Sequence, residues 1–215
     1  MENKHDEILT KTIEFVRTYF ENDASGHDFF HTMRVYQMAM KLAKQENANL
    51  FIVGLASLLH DVDDAKIVEN GTMVDHYLET LPLEPFEKES ILSITKHQSY
   101  RDSINATKKL MPIEAQVVQD ADRLDAVGAI GIARTFAYGG AKKRKIYDPN
   151  CTIKEYQTKE EYCLNNSTSI HHFYEKLLKL KDLMNTETAK KIAIHRHKFM
   201  EAYLEEFFQE WDGIN

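Results

Sequence analysis

The apolar run Phe51 to Leu59 opens directly into His60-Asp61 and the acidic turn Val62-Asp63-Asp64. A helix that is apolar almost all round is covered on every side, so this run predicts a central helix that fixes the axis of the scaffold. Adjacent helical residues point in different directions, and both can reach one ion only where the helix ends. His60 and Asp61 stand at that end. Burying two such polar groups without partners is costly, so the pair calls for something to bind.

The rest of the chain reads as helices around this axis. Glycine (8) and proline (4) are scarce and apolar positions recur mostly at helical spacing, which predicts an all-α helical bundle over residues 1–215 as a single domain. Ile8, Leu9, Thr12, Ile13, Val16 and Phe20 form the inner face of a first helix. Asp28 is the expected N-cap of a second, in which His31, Val35, Met38 and Leu42 share one stripe and Arg34 lies one turn on. Asn47 to Asn49 ends it. Pro85 enters a helix carrying Phe86, Ser90, Ile91 and Ile94, with His97 near its end, and Pro112 opens a longer one through Val117, Val118, Ala121, Leu124 and Val127. There Asp122 and Asp125 share a face, while Ala126, Gly128, Ala129 and Gly131 would let a neighbouring helix approach closely. Periodicity is lost from about 139 to 166, a stretch that is either a lid or loosely ordered. Ser167 to Ser169 caps a helix with Ile170, Phe173, Leu177, Leu178 and Leu180. After Asn185-Thr186, a last helix with Ile192, Ile194, Phe199, Tyr203, Phe207 and Phe208 folds back, completing a C-terminal helical pair at about 167–212.

Composition excludes several classes. A net charge of −7 and a pI near 5.8 argue against binding to duplex nucleic acid, which needs a basic footprint. No apolar run approaches the ~20 residues of a membrane span, and the N-terminus lacks a signal-peptide core. Cys151 and Cys163 form no CxxC, which suits a reducing compartment, so the expected location is cytoplasmic with no membrane partner. The basic run Lys142-Lys143-Arg144-Lys145 is either a strip that meets substrate phosphates or a solvated loop. Tyr203, Phe207, Phe208 and Trp211 cover either the chain's own core or a second copy, leaving a homodimer open.

With His31 upstream and Asp122 downstream, His60-Asp61 completes a set of two histidines and two aspartates. Mixed nitrogen and oxygen donors suit Mn, Fe, Co, Ni or Mg with water better than a structural zinc, and point to a metal-dependent hydrolase. The His-Asp dipeptide recurs at His5-Asp6 and His27-Asp28. The first reads as a solvated terminus, and His27 as a structural histidine beside the ligand-bearing helix. His195 and His197, among Lys and Arg, read as surface residues.

His31 within Gly26-His27-Asp28-Phe29-Phe30-His31-Thr32-Met33-Arg34-Val35, the His60-Asp61 turn, and Asp122 within Asp120-Ala121-Asp122-Arg123-Leu124-Asp125-Ala126 resemble the HD-domain metal-dependent phosphohydrolases. The run His60-Asp61-Val62-Asp63-Asp64-Ala65-Lys66 and the segment Lys96-His97-Gln98-Ser99 are similar to the bacterial YpgQ-like branch. The motif resemblance covers roughly residues 20–140. It implies an all-helical HD-domain bundle with one divalent ion, manganese first, on His31, His60, Asp61 and Asp122. It also implies cleavage of (deoxy)nucleoside triphosphates to monophosphate and pyrophosphate. Enzymes with these ligands also act on nucleoside monophosphates, cyclic nucleotides and guanosine alarmones. A non-catalytic, metal-stabilised nucleotide-sensing module is the alternative of another class.

Charge accounting adds the remaining site residues. Two neutral imidazoles and two carboxylates cancel a divalent charge, so a triphosphate needs further cations. Lys66, just past the turn, is the first candidate, followed by Arg34 and His97. Arg34 could instead pair with Asp122 or Asp125. Asp64 is the expected base that orients the attacking water, with Asp125 in reserve, and Asp63 is a turn or cap residue.

Overall fold

The computed structural model describes residues 2–21, 28–63, 72–96, 111–153 and 167–214, and all regular structure among them is helical. The chain divides into two compact units, Met1–Ala121 and Asp122–Asn215. Their boundary falls inside one continuous helix.

In the first unit, α1 (Glu2–Tyr19), α2 (Phe29–Glu46), α3 (Leu50–Leu59), α4 (Met73–Glu79) and α5 (Pro85–Thr95) precede the start of α6 (Ile113–Asp125). Helix α3 is central as expected: Phe51 through Leu59 are all buried, and α1, α2 and α5 pack around it. Its start is fixed by Asn49, whose side chain accepts from the N–H groups of Phe51 and Ile52 at 3.0 and 3.2 Å. Helix α2 ends at Asn47, which takes the left-handed conformation (φ 54) that a short polar side chain tolerates. Helix α1 buries Ile8, Leu9, Thr12 and Val16, and Phe20 just past its end is buried too. The Thr12 hydroxyl sits in this core because it donates to the Ile8 carbonyl at 2.8 Å and receives the Tyr77 hydroxyl at 3.0 Å.

Several expectations need correction here. Helix α4 has no counterpart in the sequence reading, since seven residues are too few to display a period. Helix α5 does start at Pro85, under a capping box of Glu84 and Glu87, with Ile91 and Ile94 buried and Phe86 exposed. His5 is not a solvated terminus: its ring stacks on Phe51 (centroids 3.8 Å apart, 7° between planes), and its Nε2 lies 3.3 Å from Glu87 Oε1. Asp6 beside it is exposed.

The second unit contains the end of α6, α7 (Gly128–Ala141), α8 (Ser169–Glu175), a 3-10 helix (Leu177–Leu183) and α9 (Glu187–Trp211). The helix opened at Pro112 does not run through Gly128. It stops at Asp125, and Gly128, at φ 77, reverses the chain into α7. The small residues serve this reversal. A Cβ on Gly131 would stand 2.3 Å from the Ala126 carbonyl oxygen, so only glycine lets the two helix ends come this close. Arg196 of α9 closes the corner by donating to the Leu124 carbonyl, and Arg123 donates to that of Leu183.

Thr168 caps α8 through the N–H of His171 at 3.1 Å, but the helix expected to run on through Leu180 breaks at Lys176 into the 3-10 segment. Helix α9 begins at its Thr186 cap and packs on that segment as a pair. Its buried stripe is Ala189, Ala193, His197, Met200 and Leu204, one register away from the expected face, and Ile194 and Phe199 are exposed. His197 is therefore buried, 3.2 Å from Glu201, and not a surface residue. His195 is exposed.

Within 139–166, residues 139–153 are described. Lys145 and Ile146 accept backbone hydrogen bonds from Ser169 and Ile170, each 3.0 Å, and Tyr147 meets Phe207, Phe208 and Trp211 edge to face. The aromatic C-terminal residues thus pack on their own chain, with Trp211 half exposed. In the basic run, Arg144 and Lys142 lie over the Tyr138 ring and Lys145 pairs with Asp148 at 2.7 Å. Among the described residues, no helix is long and apolar enough to cross a membrane.

Candidate metal centre

Local capping sets each histidine. Asp28 is the N-cap of α2, and its carboxylate accepts from the N–H of His31 at 2.7 Å, so the cap fixes the turn that carries His31. His31 is fully buried. Nine buried residues precede His60 at the C-cap of α3. There His60 Nδ1 lies 2.8 Å from the Ser57 carbonyl oxygen. A carbonyl can only accept, so Nδ1 carries a proton, and the tautomer this contact favours is the one whose Nε2 can offer a lone pair to a metal. The sequence reading had no role for Ser57. The signal was its place three residues before His60, one turn back on the same helix.

The two rings stand 5.4 Å apart at 64°. Asp61 Oδ2 lies 3.3 Å from His31 Nε2 and 3.4 Å from His60 Nε2. Asp122 lies one residue past the edge of the first unit on the same continuous helix α6. It brings a carboxylate to the histidines, so that ligand atoms of His31, His60 and Asp122 all fall within 4.8 Å of one another. This cluster can hold a divalent ion. Both Nε2 atoms are shielded from solvent, and the His60 tautomer presents the correct lone pair. The two carboxylates match a dication in charge. The donor set therefore fits such an ion.

Other candidates take different places. Asp63 is a cap, as expected: its two oxygens accept from the N–H groups of Met73 and Val74 at 2.9 and 3.0 Å, closing the start of α4. Asp125, the reserve base, is buried and paired with Arg134, 3.0 Å away. Arg34 is half buried on α2, one turn after His31. Asp64, Lys66, His97 and His27 lie outside the described residues. Sequence reasoning also missed Tyr19, whose hydroxyl donates to the Val62 carbonyl at 2.9 Å. No local pattern could have found a contact between residues 43 positions apart.

An all-helical scaffold ending a buried helix in a histidine-aspartate pair matches one known class: residues 28–127 match the HD domain. The chain is 35% identical to YpgQ of Bacillus subtilis across 95% of this chain and 96% of that one, and it belongs to the HD-domain family, in its YpgQ-like bacterial branch. The crystal structure of YpgQ in complex with ADP superposes with a TM-score of 0.74, covering 94% of this chain and all (100%) of that one. A Lactobacillus plantarum protein of known structure reaches a TM-score of 0.88 at 42% identity, covering 96% of this chain and 98% of that one. A Bacillus thuringiensis HD-superfamily hydrolase reaches 0.75 at 45% identity, covering 97% and 98%. The metal-binding cluster and the HD-domain relationship together support a metal-dependent phosphohydrolase.

Proposed function

We propose that the protein hydrolyses (deoxy)nucleoside triphosphates to the monophosphate and pyrophosphate, using one divalent ion, manganese first, held by His31, His60, Asp61 and Asp122. The observation that carries this reading is the convergence of His31, His60 and Asp122 within 4.8 Å, with Asp61 against both imidazoles. The ADP bound by YpgQ supports a nucleoside phosphate as the ligand class.

When bound, the ion supplies Lewis acidity toward a phosphoryl oxygen and toward water. The chain's own residues do the rest. The Ser57 carbonyl keeps His60 in the tautomer that offers Nε2. The Asp28 cap orients the first turn of α2, and with it His31. Asp64 takes a proton from the attacking water, being the carboxylate next along the chain from the cap residue Asp63. Lys66, Arg34 and His97 bind the β and γ phosphates, whose charge the neutralised metal shell does not attract.

The test is a panel of nucleoside mono-, di- and triphosphates incubated with manganese-loaded protein, with the released product identified. Pyrophosphate from triphosphates is expected, together with its loss in His60→Ala and Asp61→Ala. Orthophosphate from monophosphates would replace this reading with a nucleoside monophosphatase. Wild-type rates in either variant would overturn the centre itself.

A further inference from the structure

The turn that carries His60 and Asp61 is held by more than the end of its own helix. Beyond Leu59 the backbone leaves the α3 ladder, and its carbonyls need new partners. The Val62 carbonyl finds one in Tyr19 of α1, 2.9 Å away. One residue on, the Asp63 carboxylate grips the first two N–H groups of α4. Helix α4 is tied back to α1: Tyr77 stacks on Phe15 (centroids 4.0 Å apart, 13° between planes) and donates to Thr12. Three links therefore close a circuit, α1 to turn, turn to α4, and α4 to α1, and the metal turn is one of its corners.

We infer that Tyr19 is a positioning residue for the metal centre: its hydroxyl, acting through the Val62 carbonyl, holds the 60–63 turn where His60 and Asp61 meet His31. The inference rests on the metal-centre reading above. Tyr19 suits the task chemically. Burial, and then the nearby Asp63 charge, raise its pKa above the ordinary phenol value, so the hydroxyl keeps its proton and donates throughout the physiological range. The ring is fixed independently by Phe20, edge to face at 5.0 Å, so removing the hydroxyl leaves the packing in place. Removing one link lets the turn move while each helix stays whole. A ligand shell is sensitive to small displacements of this kind, since supporting partners are worth about 10–100-fold in metal affinity.

The experiment uses Tyr19→Phe in the full chain and reads manganese affinity by isothermal titration calorimetry, with the metal alone as ligand. The melting temperature is read in chelator. Affinity about tenfold weaker is expected, with the apo melting point within about 3 °C of wild type, because a single partly exposed hydrogen bond is lost. Tyr77→Phe, which cuts the opposite link of the circuit, is expected to weaken manganese binding in the same direction and by less. Wild-type affinity in Tyr19→Phe overturns the inference, as does a fall in apo stability with no change in affinity, which would make Tyr19 merely structural. Failure of the nucleotide reading is distinguishable: wild type would then bind manganese, with Tyr19→Phe weakened, yet turn over no nucleotide. Wild-type protein that binds no manganese overturns both.

Discussion

Substituting alanine at two glycines of the same helix should have opposite consequences, and the pair tests the account of the α6–α7 corner. At Gly131 the new Cβ would lie 2.3 Å from the Ala126 carbonyl oxygen and 2.5 Å from its carbon, both backbone atoms of the reversal, so no side chain can yield. Relief requires the corner to open by most of an ångström, against the Asp125–Arg134 pair at 3.0 Å and the Arg196 bond to Leu124. Overpacking of this kind costs about 3 kcal/mol, at the upper end of the usual range. For a chain of this size that lowers the melting temperature by about 6–12 °C. At Gly140, near the exposed end of α7, an added Cβ meets nothing within 4 Å. Alanine there removes backbone freedom only from the unfolded chain and raises stability by about 0.5–1 kcal/mol. Thermal melts of both variants beside wild type give the answer. A Gly131→Ala protein melting within about 2 °C of wild type, or a Gly140→Ala protein that loses stability comparably, would refute the reasoning.

Three further outcomes are expected. Asp28→Ala removes the cap of α2 and costs about 1 kcal/mol in chemical denaturation. Because the same carboxylate holds the His31 N–H, it also weakens manganese binding measured by calorimetry. Asp125→Ala removes the partner of Arg134 and should cost about 2 kcal/mol with manganese affinity unchanged, separating a structural aspartate from the cluster. Burial, reinforced by Lys176 and Arg144, pushes the His172 imidazole down to about 3. Below the ordinary histidine pKa, the unfolded chain takes up a proton that the native ring refuses. Stability contributed by the neutral ring is therefore full above about pH 6.5 and declines from there toward pH 3. At pH 5 the loss is about 1–2 kcal/mol, discounted because the residue as a whole is only half buried. Denaturation profiles between pH 7 and 4 should flatten in His172→Gln, and an unchanged slope would remove this ring as the cause.

Much of the metal centre was legible in the chain because its elements announce themselves locally. The run Phe51 to Leu59 could be read as a buried helix from its composition alone, and the Asp28 cap from residue type and position. Asp63 was likewise identifiable as a cap residue, although its actual target, the start of α4, was not. The face of α9 was misread because Ile and Phe outweigh Ala in any hydropathy count. The helix packs on both α7 and the 3-10 helix, and its buried positions there include Ala189, Ala193 and His197. Asp125 shares a helical face with Asp122 in the sequence, but the chain reversal at Gly128 brings Arg134 against it. Local sequence thus determined which segments are helical, where His31 and His60 stand on them, and that their donors suit a divalent ion, because capping, periodicity and donor chemistry act within a few residues. Only the tertiary structure decided that Tyr19 and α4 hold the turn, that Asp122 reaches the histidines and that Asp125 pairs with Arg134. Those outcomes depend on where a backbone carbonyl points and on contacts between residues far apart in the chain, and neither is written in the order of side chains.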